Sequence, residues 1–159
     1  MPGVEELLEV ARGRIERLEP DAAWAAASGR DALILDIRSE DDRRATGIVP
    51  GSLHIPRTVL EWRVDPSSAW HNPRVGGRDR RLVLLCTHGF SSSLAAATLV
   101  DLGFERSGDV IGGFEAWSRR GLPIVRAPPR RDGELPGMGW PEAGPPTLAP
   151  PSGAGYPID

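Results

Sequence analysis

Cys86 ends the apolar run Leu82-Val83-Leu84-Leu85 and opens Cys86-Thr87-His88-Gly89-Phe90-Ser91-Ser92-Ser93, which leads directly into Leu94-Ala95-Ala96-Ala97-Thr98-Leu99-Val100. The first run reads as a strand and the last as a helix, so the thiol sits at a strand-to-helix junction. Backbone N–H groups in a tight Gly-containing loop point inward, and the positive end of the following helix adds to them. Such a loop attracts anions and favours thiolate over thiol. A free cysteine has a pKa of about 8.5, and thiols in electropositive sites fall to roughly 3.5–7.5. Each unit of that depression is about 1.36 kcal/mol of preference for the anion. The chemistry expected of Cys86 is therefore nucleophilic, with the amides of Thr87, His88, Gly89, Phe90, Ser91 and Ser92 and the hydroxyls of Ser91 and Ser92 cradling a negative adduct. Gly89 supplies the backbone freedom and close approach that the nest requires. A buried, inert thiol is the ordinary reading of an isolated cysteine, and the Gly-Ser loop with its helix favours the reactive one.

The elements that must position this loop are legible around it. Val4, Leu7, Leu8, Ala11, Ile15 and Leu18 recur at helical spacing with Glu and Arg opposite, which predicts an amphipathic helix over residues 4–18 packed on the domain. Pro20 suits a first helical turn, and the Ala22–Ala27 stretch after it predicts a short helix closing near Gly29. Leu33-Ile34-Leu35-Asp36-Ile37 is apolar apart from one carboxylate, the pattern of a strand buried on both faces of a parallel sheet. Further strands are predicted at 53–55, 82–85 and 110–111, and helical turns at 40–45, 58–63, 92–102 and 114–119. Alternation of this kind implies an α/β fold with a parallel sheet covered on both faces. Ligands on such sheets bind beyond the carboxyl ends of strands, where Cys86 lies.

Composition bounds the rest. A chain of 159 residues with 40% hydrophobic and 26% charged residues is long enough for one domain with a real core. No apolar run approaches the roughly 20 residues that a membrane helix needs, so no membrane association is expected. The acidic start Met1-Pro2-Gly3-Val4-Glu5-Glu6 is unlike a secretory leader, and a cytoplasmic protein is expected. One cysteine allows no internal disulfide, and with three scattered histidines it gives no metal-ligand spacing, so neither a metal nor another cofactor is expected. A net charge of −3 argues against a nucleic-acid partner. All basic residues are arginine, which suits bidentate oxyanion binding. Residues 127–159 are rich in Pro and Gly with almost no periodic apolar signal, which predicts a mobile tail. The alternative is a docking strap in which Trp140 and Tyr156 anchor onto the domain or a protein partner. The expected division is an N-terminal amphipathic helix at 1–17, the α/β domain at 18–126 and the tail at 127–159.

Four segments in order, Leu33-Ile34-Leu35-Asp36-Ile37-Arg38, Gly47-Ile48-Val49-Pro50-Gly51-Ser52-Leu53-His54-Ile55-Pro56, the Cys86 loop, and Gly112-Gly113-Phe114-Glu115-Ala116-Trp117, resemble the rhodanese-like domain family in order and spacing. The loop pattern C-x-H-G-x-S-S is similar to that of short single-domain bacterial thiosulfate sulfurtransferases. The resemblance implies a central parallel five-stranded sheet with helices on both faces and a cysteine that carries sulfane sulfur as a persulfide. On this reading the Cys86 thiolate attacks a small anionic sulfur donor such as thiosulfate, sulfite leaves, and cyanide or a thiol acceptor removes the sulfur. Where many members have His, this chain has Ile48, and where many carry Arg near the end of the loop it has Ser91. The scaffold also resembles that of cell-cycle dual-specificity phosphatases, whose loop places Arg six positions after Cys; Ser92 stands there in this chain. A further alternative is a sulfur-relay or protein-interaction module without multiple-turnover activity.

The remaining candidates have ordinary readings beside functional ones. Asp36 and Arg38 are expected to make structural hydrogen bonds or an ion pair near the site. His88 is read as loop-shaping or substrate-contacting, with solvent exposure as the bland alternative. Phe114 and Trp117 read as core. Trp62, Trp70 and His71 lie in the long 60–78 connection, where specificity and plain packing both fit. Arg57, Arg63 and Arg74 are candidates for holding an anionic donor.

Overall fold

The structure, a computed structural model, describes residues 1–141. The elements are α1 (Val4–Arg12), β1 (Glu16–Leu18), α2 (Pro20–Ser28), β2 (Leu33–Asp36), α3 (Glu40–Thr46), β3 (Leu53–His54), α4 (Leu60–Val64), β4 (Leu82–Leu85), α5 (Ser91–Asp101), β5 (Ser107–Val110) and α6 (Gly113–Arg119). Five strands pair in the order β1-β5-β4-β2-β3, all parallel. The continuous apolar runs of β2 and β4 are explained by burial on both faces. Leu33, Leu35, Leu82, Leu84 and Cys86 face one core with Leu60, Ala95, Ala96, Leu99 and Phe104. Ile34, Val83 and Leu85 face another with Ala23, Val110, Phe114 and Trp117. In the second core Trp24 of α2 meets Trp117 of α6 edge-on, with ring centroids 5.8 Å apart. None of the described helices is long and apolar enough to cross a membrane.

Two expectations need correction. The amphipathic helix predicted over 4–18 stops at Arg12, and Glu16–Leu18 instead forms the edge strand β1, so the sheet begins two residues before the expected boundary at 18. The cause is a distant partner. Gly108 of β5 lies opposite Glu16, and a Cβ there would stand 2.1 Å from the Glu16 carbonyl oxygen, so the pairing exists only because position 108 has no side chain. Helix α1 packs on α5 through Leu8 and Ala11, while Val4, Leu7 and Val10 stay exposed.

The second correction concerns the tail. Residues 136–140 lie against the domain: both hydrogens of the buried Asn72 amide go to the carbonyls of Gly137 (2.9 Å) and Gly139 (3.0 Å), and Arg63 Nε donates to the Pro136 carbonyl at 2.7 Å. Met138 is buried, and the Arg74 guanidinium stacks 3.4 Å from the Trp140 ring centroid. Composition predicts weak ordering here because it counts apolar side chains, whereas the strap is held through its own backbone. Tyr156 lies outside the described residues. Replacing Asn72 with Ala leaves two strap carbonyls without their donors, at a cost of about 1–3 kcal/mol. The expected outcome is a lower denaturation midpoint together with faster hydrogen exchange across residues 136–140. Unchanged protection there would show that the amide does not hold the strap.

Candidate active site

Cys86 is the first residue after β4, and α5 begins five residues later at Ser91. The thiol is 6% exposed and forms part of the floor of a cavity of about 260 Å³ lined by Ile37, Arg38, Asp42, Thr87, His88, Phe90 and Ser91. Around the sulfur, Gly89 N–H donates at 3.2 Å and Ser92 N–H at 3.4 Å, and the Ser92 hydroxyl oxygen lies 3.2 Å away. Burial pushes the thiol up. Hydrogen bonds with Ser92, Ser91 and Gly89 pull it down by more, so Cys86 lies below the ordinary thiol value.

The loop holds this shape because its carbonyls are tied to other elements. Phe114 N–H donates to the Cys86 carbonyl at 2.8 Å and Glu115 N–H to the Thr87 carbonyl at 3.0 Å. The Gly89 carbonyl accepts from Arg12 Nη2 at 2.8 Å and Arg17 Nη2 at 3.2 Å. In a trans peptide the N–H opposes the preceding carbonyl. The amides of Thr87, His88 and Phe90 therefore point away from those partners and back toward the loop's own concavity. Two glycines make the contact possible. Gly113 has φ +63, and a Cβ there would stand 2.4 Å from the Cys86 carbonyl oxygen; Gly89 has φ +82, and a Cβ there would stand 2.8 Å from Gly112 N.

Arg38, braced from behind by Asp36, forms one wall. Arg38 donates from Nη2 to Asp36 Oδ2 at 2.8 Å and from Nε to Asp36 Oδ1 at 3.0 Å, and also reaches Thr46 Oγ1 and the Gly47 carbonyl, both at 2.8 Å. Its guanidinium lies 3.9 Å from the Phe114 ring centroid. Both residues are buried, so this pair is a fixed structural corner that joins β2, α3 and α6 beside the cavity. His88 sits at the rim, exposed, with Nε2 2.9 Å from Glu115 Oε2. Phe90 is exposed at the loop tip, with the Arg12 guanidinium 5.7 Å from its ring centroid.

Several sequence candidates lie elsewhere. Arg57 pairs with Glu61, Arg63 holds the Pro136 and Trp70 carbonyls, and Arg74 stacks on Trp140; none of the three lines the cavity. Trp62, Trp70 and His71 do not line it either. Sequence reasoning missed Asp42, on the cavity wall, and the group behind the loop: Arg12, Arg17 and Asp109. Asp109 is fully buried and accepts from Ser92 Oγ at 2.8 Å, Ser93 Oγ at 2.7 Å and Arg17 Nε at 2.9 Å. A carboxylate one residue from apolar Val110-Ile111 was the available signal. Among the described residues no cluster of His, Cys, Asp or Glu is arranged to hold a metal ion.

Chemically, the site offers a low-lying thiol below a small cavity, ringed by N–H and O–H donors, which suits a nucleophile whose adduct carries negative charge. Six positions after the cysteine, Ser92 faces Asp109, so the loop presents no guanidinium fork for a phosphoryl group.

A family model described as the rhodanese-like domain matches residues 19–120. The thiosulfate sulfurtransferase GlpE of Actinobacillus succinogenes is 30% identical over 110 residues, covering 69% of this chain and 90% of that protein. GlpE of Glaesserella parasuis is 34% identical over 108 residues, covering 67% and 90%. Among solved structures, a Rhodopseudomonas palustris protein of unknown function, described as a possible tyrosine phosphatase, superposes with a TM-score of 0.73 at 34% identity, covering 79% of this chain and 96% of that one. The match extends over well more than half of the sequence and over four of the five strands, including β4, which leads into the Cys86 loop, and on these grounds the chain belongs to the rhodanese-like domain family.

Proposed function

We propose that this protein is a sulfurtransferase that moves sulfane sulfur from thiosulfate, or a related small anionic donor, to cyanide or a thiol acceptor through a persulfide on Cys86. The observation that carries the reading is the sulfur of Cys86 in the lining of the cavity, with its loop carbonyls tied to neighbouring elements and the Gly89 and Ser92 amides donating to it. Relatives named thiosulfate sulfurtransferase, at 30–34% identity over most of their length, support it.

In the first half-reaction the thiolate attacks the outer sulfur of thiosulfate. The sulfur–sulfur bond of the donor breaks, sulfite departs with the bonding pair, and a new bond leaves Cys86–S–S⁻. Charge moves one atom outward, from Sγ to the added sulfur. The loop N–H groups are held by the tethered backbone before reaction, so they stabilise that charge without reorganising. In the second half-reaction cyanide or a thiolate attacks the outer sulfur, takes it, and returns the bonding pair to Sγ. A cavity of about 260 Å³ is of a size for small anions. Arg38, although bonded to Asp36, adds a buried positive charge to its wall.

Incubation with thiosulfate followed by mass spectrometry of the intact protein should add one sulfur atom, and cyanide should remove it as thiocyanate. Cys86→Ser should show neither the adduct nor the turnover. An adduct that cyanide and thiols cannot discharge would instead favour a relay or scaffold role, and no adduct at all would reject the reading.

A further inference from the structure

A hydroxyl has one hydrogen to give. The Ser92 hydroxyl lies between two atoms that would each accept it: Cys86 Sγ at 3.2 Å and Asp109 Oδ2 at 2.8 Å. Asp109 is fully buried, and as a carboxylate paired with Arg17 it offers only lone pairs. Its second hydroxyl partner, Ser93, is held in turn by Arg12 Nε at 3.1 Å. An ionised oxygen in a buried site is a much stronger acceptor than sulfur. The Ser92 hydrogen therefore belongs to Asp109, and the face that Ser92 turns to the cysteine is a lone pair. In the thiol form this suits Cys86, whose S–H can donate to Ser92. In the thiolate form it withholds the Ser92 hydroxyl as a donor, so the lowering of the Cys86 thiol rests on the amides of Ser92 and Gly89 and on Ser91.

We propose that Asp109 is a positioning residue that fixes the direction of the Ser92 hydroxyl and thereby denies Cys86 Sγ that donor, leaving the donors on the outer sulfur side intact. The functional meaning rests on the sulfurtransferase reading above. A thiolate with one donor fewer is less stabilised and more nucleophilic. Once the persulfide forms, Sγ is a neutral bridging sulfur that needs no donor, and the charge lies on the added atom. The Asp109–Ser92 arrangement therefore costs the thiolate and not the persulfide, which biases the first half-reaction toward sulfur uptake.

The test reads the thiol alone, independent of any turnover. As Cys86 is the one cysteine in the chain, its titration can be followed by the pH dependence of alkylation with iodoacetamide. The other charged groups about the loop are Arg38 and Asp42 on the cavity wall, the His88–Glu115 pair at the rim, and Arg12 and Arg17 on the Gly89 carbonyl. They are the same in every protein compared, so they cancel in a double-mutant cycle. Four proteins are needed: wild type, Ser92→Ala, Asp109→Asn and the double variant. In wild type, Ser92→Ala should leave the alkylation midpoint in place or move it slightly down, since an acceptor for the thiol is lost. Asparagine at 109 can donate its amide to Ser92 Oγ while its oxygen still accepts from Arg17, which frees the hydroxyl hydrogen for sulfur. In that background Ser92→Ala should raise the midpoint by about one unit, a tenfold fall in thiolate below it. A rise of similar size in both backgrounds would overturn the proposal, because Ser92 would then donate to sulfur despite Asp109. Should Asp109→Asn fail to fold, as judged by thermal unfolding, Ser92→Ala in wild type still decides: a rise overturns the proposal and its absence supports it.

Discussion

The structure depends on the outward tethering of the carbonyls that surround Cys86. A peptide unit has two poles, and a loop can present its N–H poles to an anion only if something else satisfies its carbonyls. Here Phe114 and Glu115 bind those of Cys86 and Thr87, and Arg12 and Arg17 bind that of Gly89. The partners come from three different elements, α6, α1 and β1, so the fold is arranged to bring both ends of the domain to one loop. The sheet order follows the same logic: β1 and β5 pair at one edge, which sets Arg17 beside Asp109 and both behind the cysteine.

Much of this frame was legible in the sequence, and the reasons for what was not are specific. Strands β2 and β4 are runs of branched apolar residues because both faces of the sheet are covered, and they declare themselves. Strand β5 does not, since three of its four residues are Ser107, Gly108 and Asp109, all buried. Two of them are there for reasons that local pattern cannot express: Gly108 leaves room for the Glu16 backbone, and Asp109 faces the serines of α5. With β5 half hidden, β1 loses its partner on paper, and its residues are absorbed into an apparent continuation of α1. Arg12 and Arg17 then read as solvated charges on a helix face, although they are the cations that hold the loop.

The site itself was more legible than its support. The cysteine, the glycine and the serines are contiguous, and the chemistry of such a loop depends on its own backbone. What was misjudged were arginines chosen for being near in sequence to a long connection. Arg63 and Arg74 serve the strap at 136–140, where they and Asn72 bind backbone carbonyls and an aromatic ring. Arg38 is the cation that does reach the cavity, and its four-way bonding to Asp36, Thr46 and Gly47 makes it a rigid wall rather than a mobile clamp.

The account stands or falls on whether the tethered loop holds negative charge on sulfur in the resting protein. The most direct measurement is ultraviolet difference titration of the thiolate in the wild-type protein, with the unfolded chain in denaturant as its own reference. The account predicts a midpoint for the folded protein clearly below that of the unfolded one, because the loop donors outweigh the penalty of burial. A folded midpoint at or above the unfolded value would contradict it, since burial would then dominate and the loop would be no anion cradle.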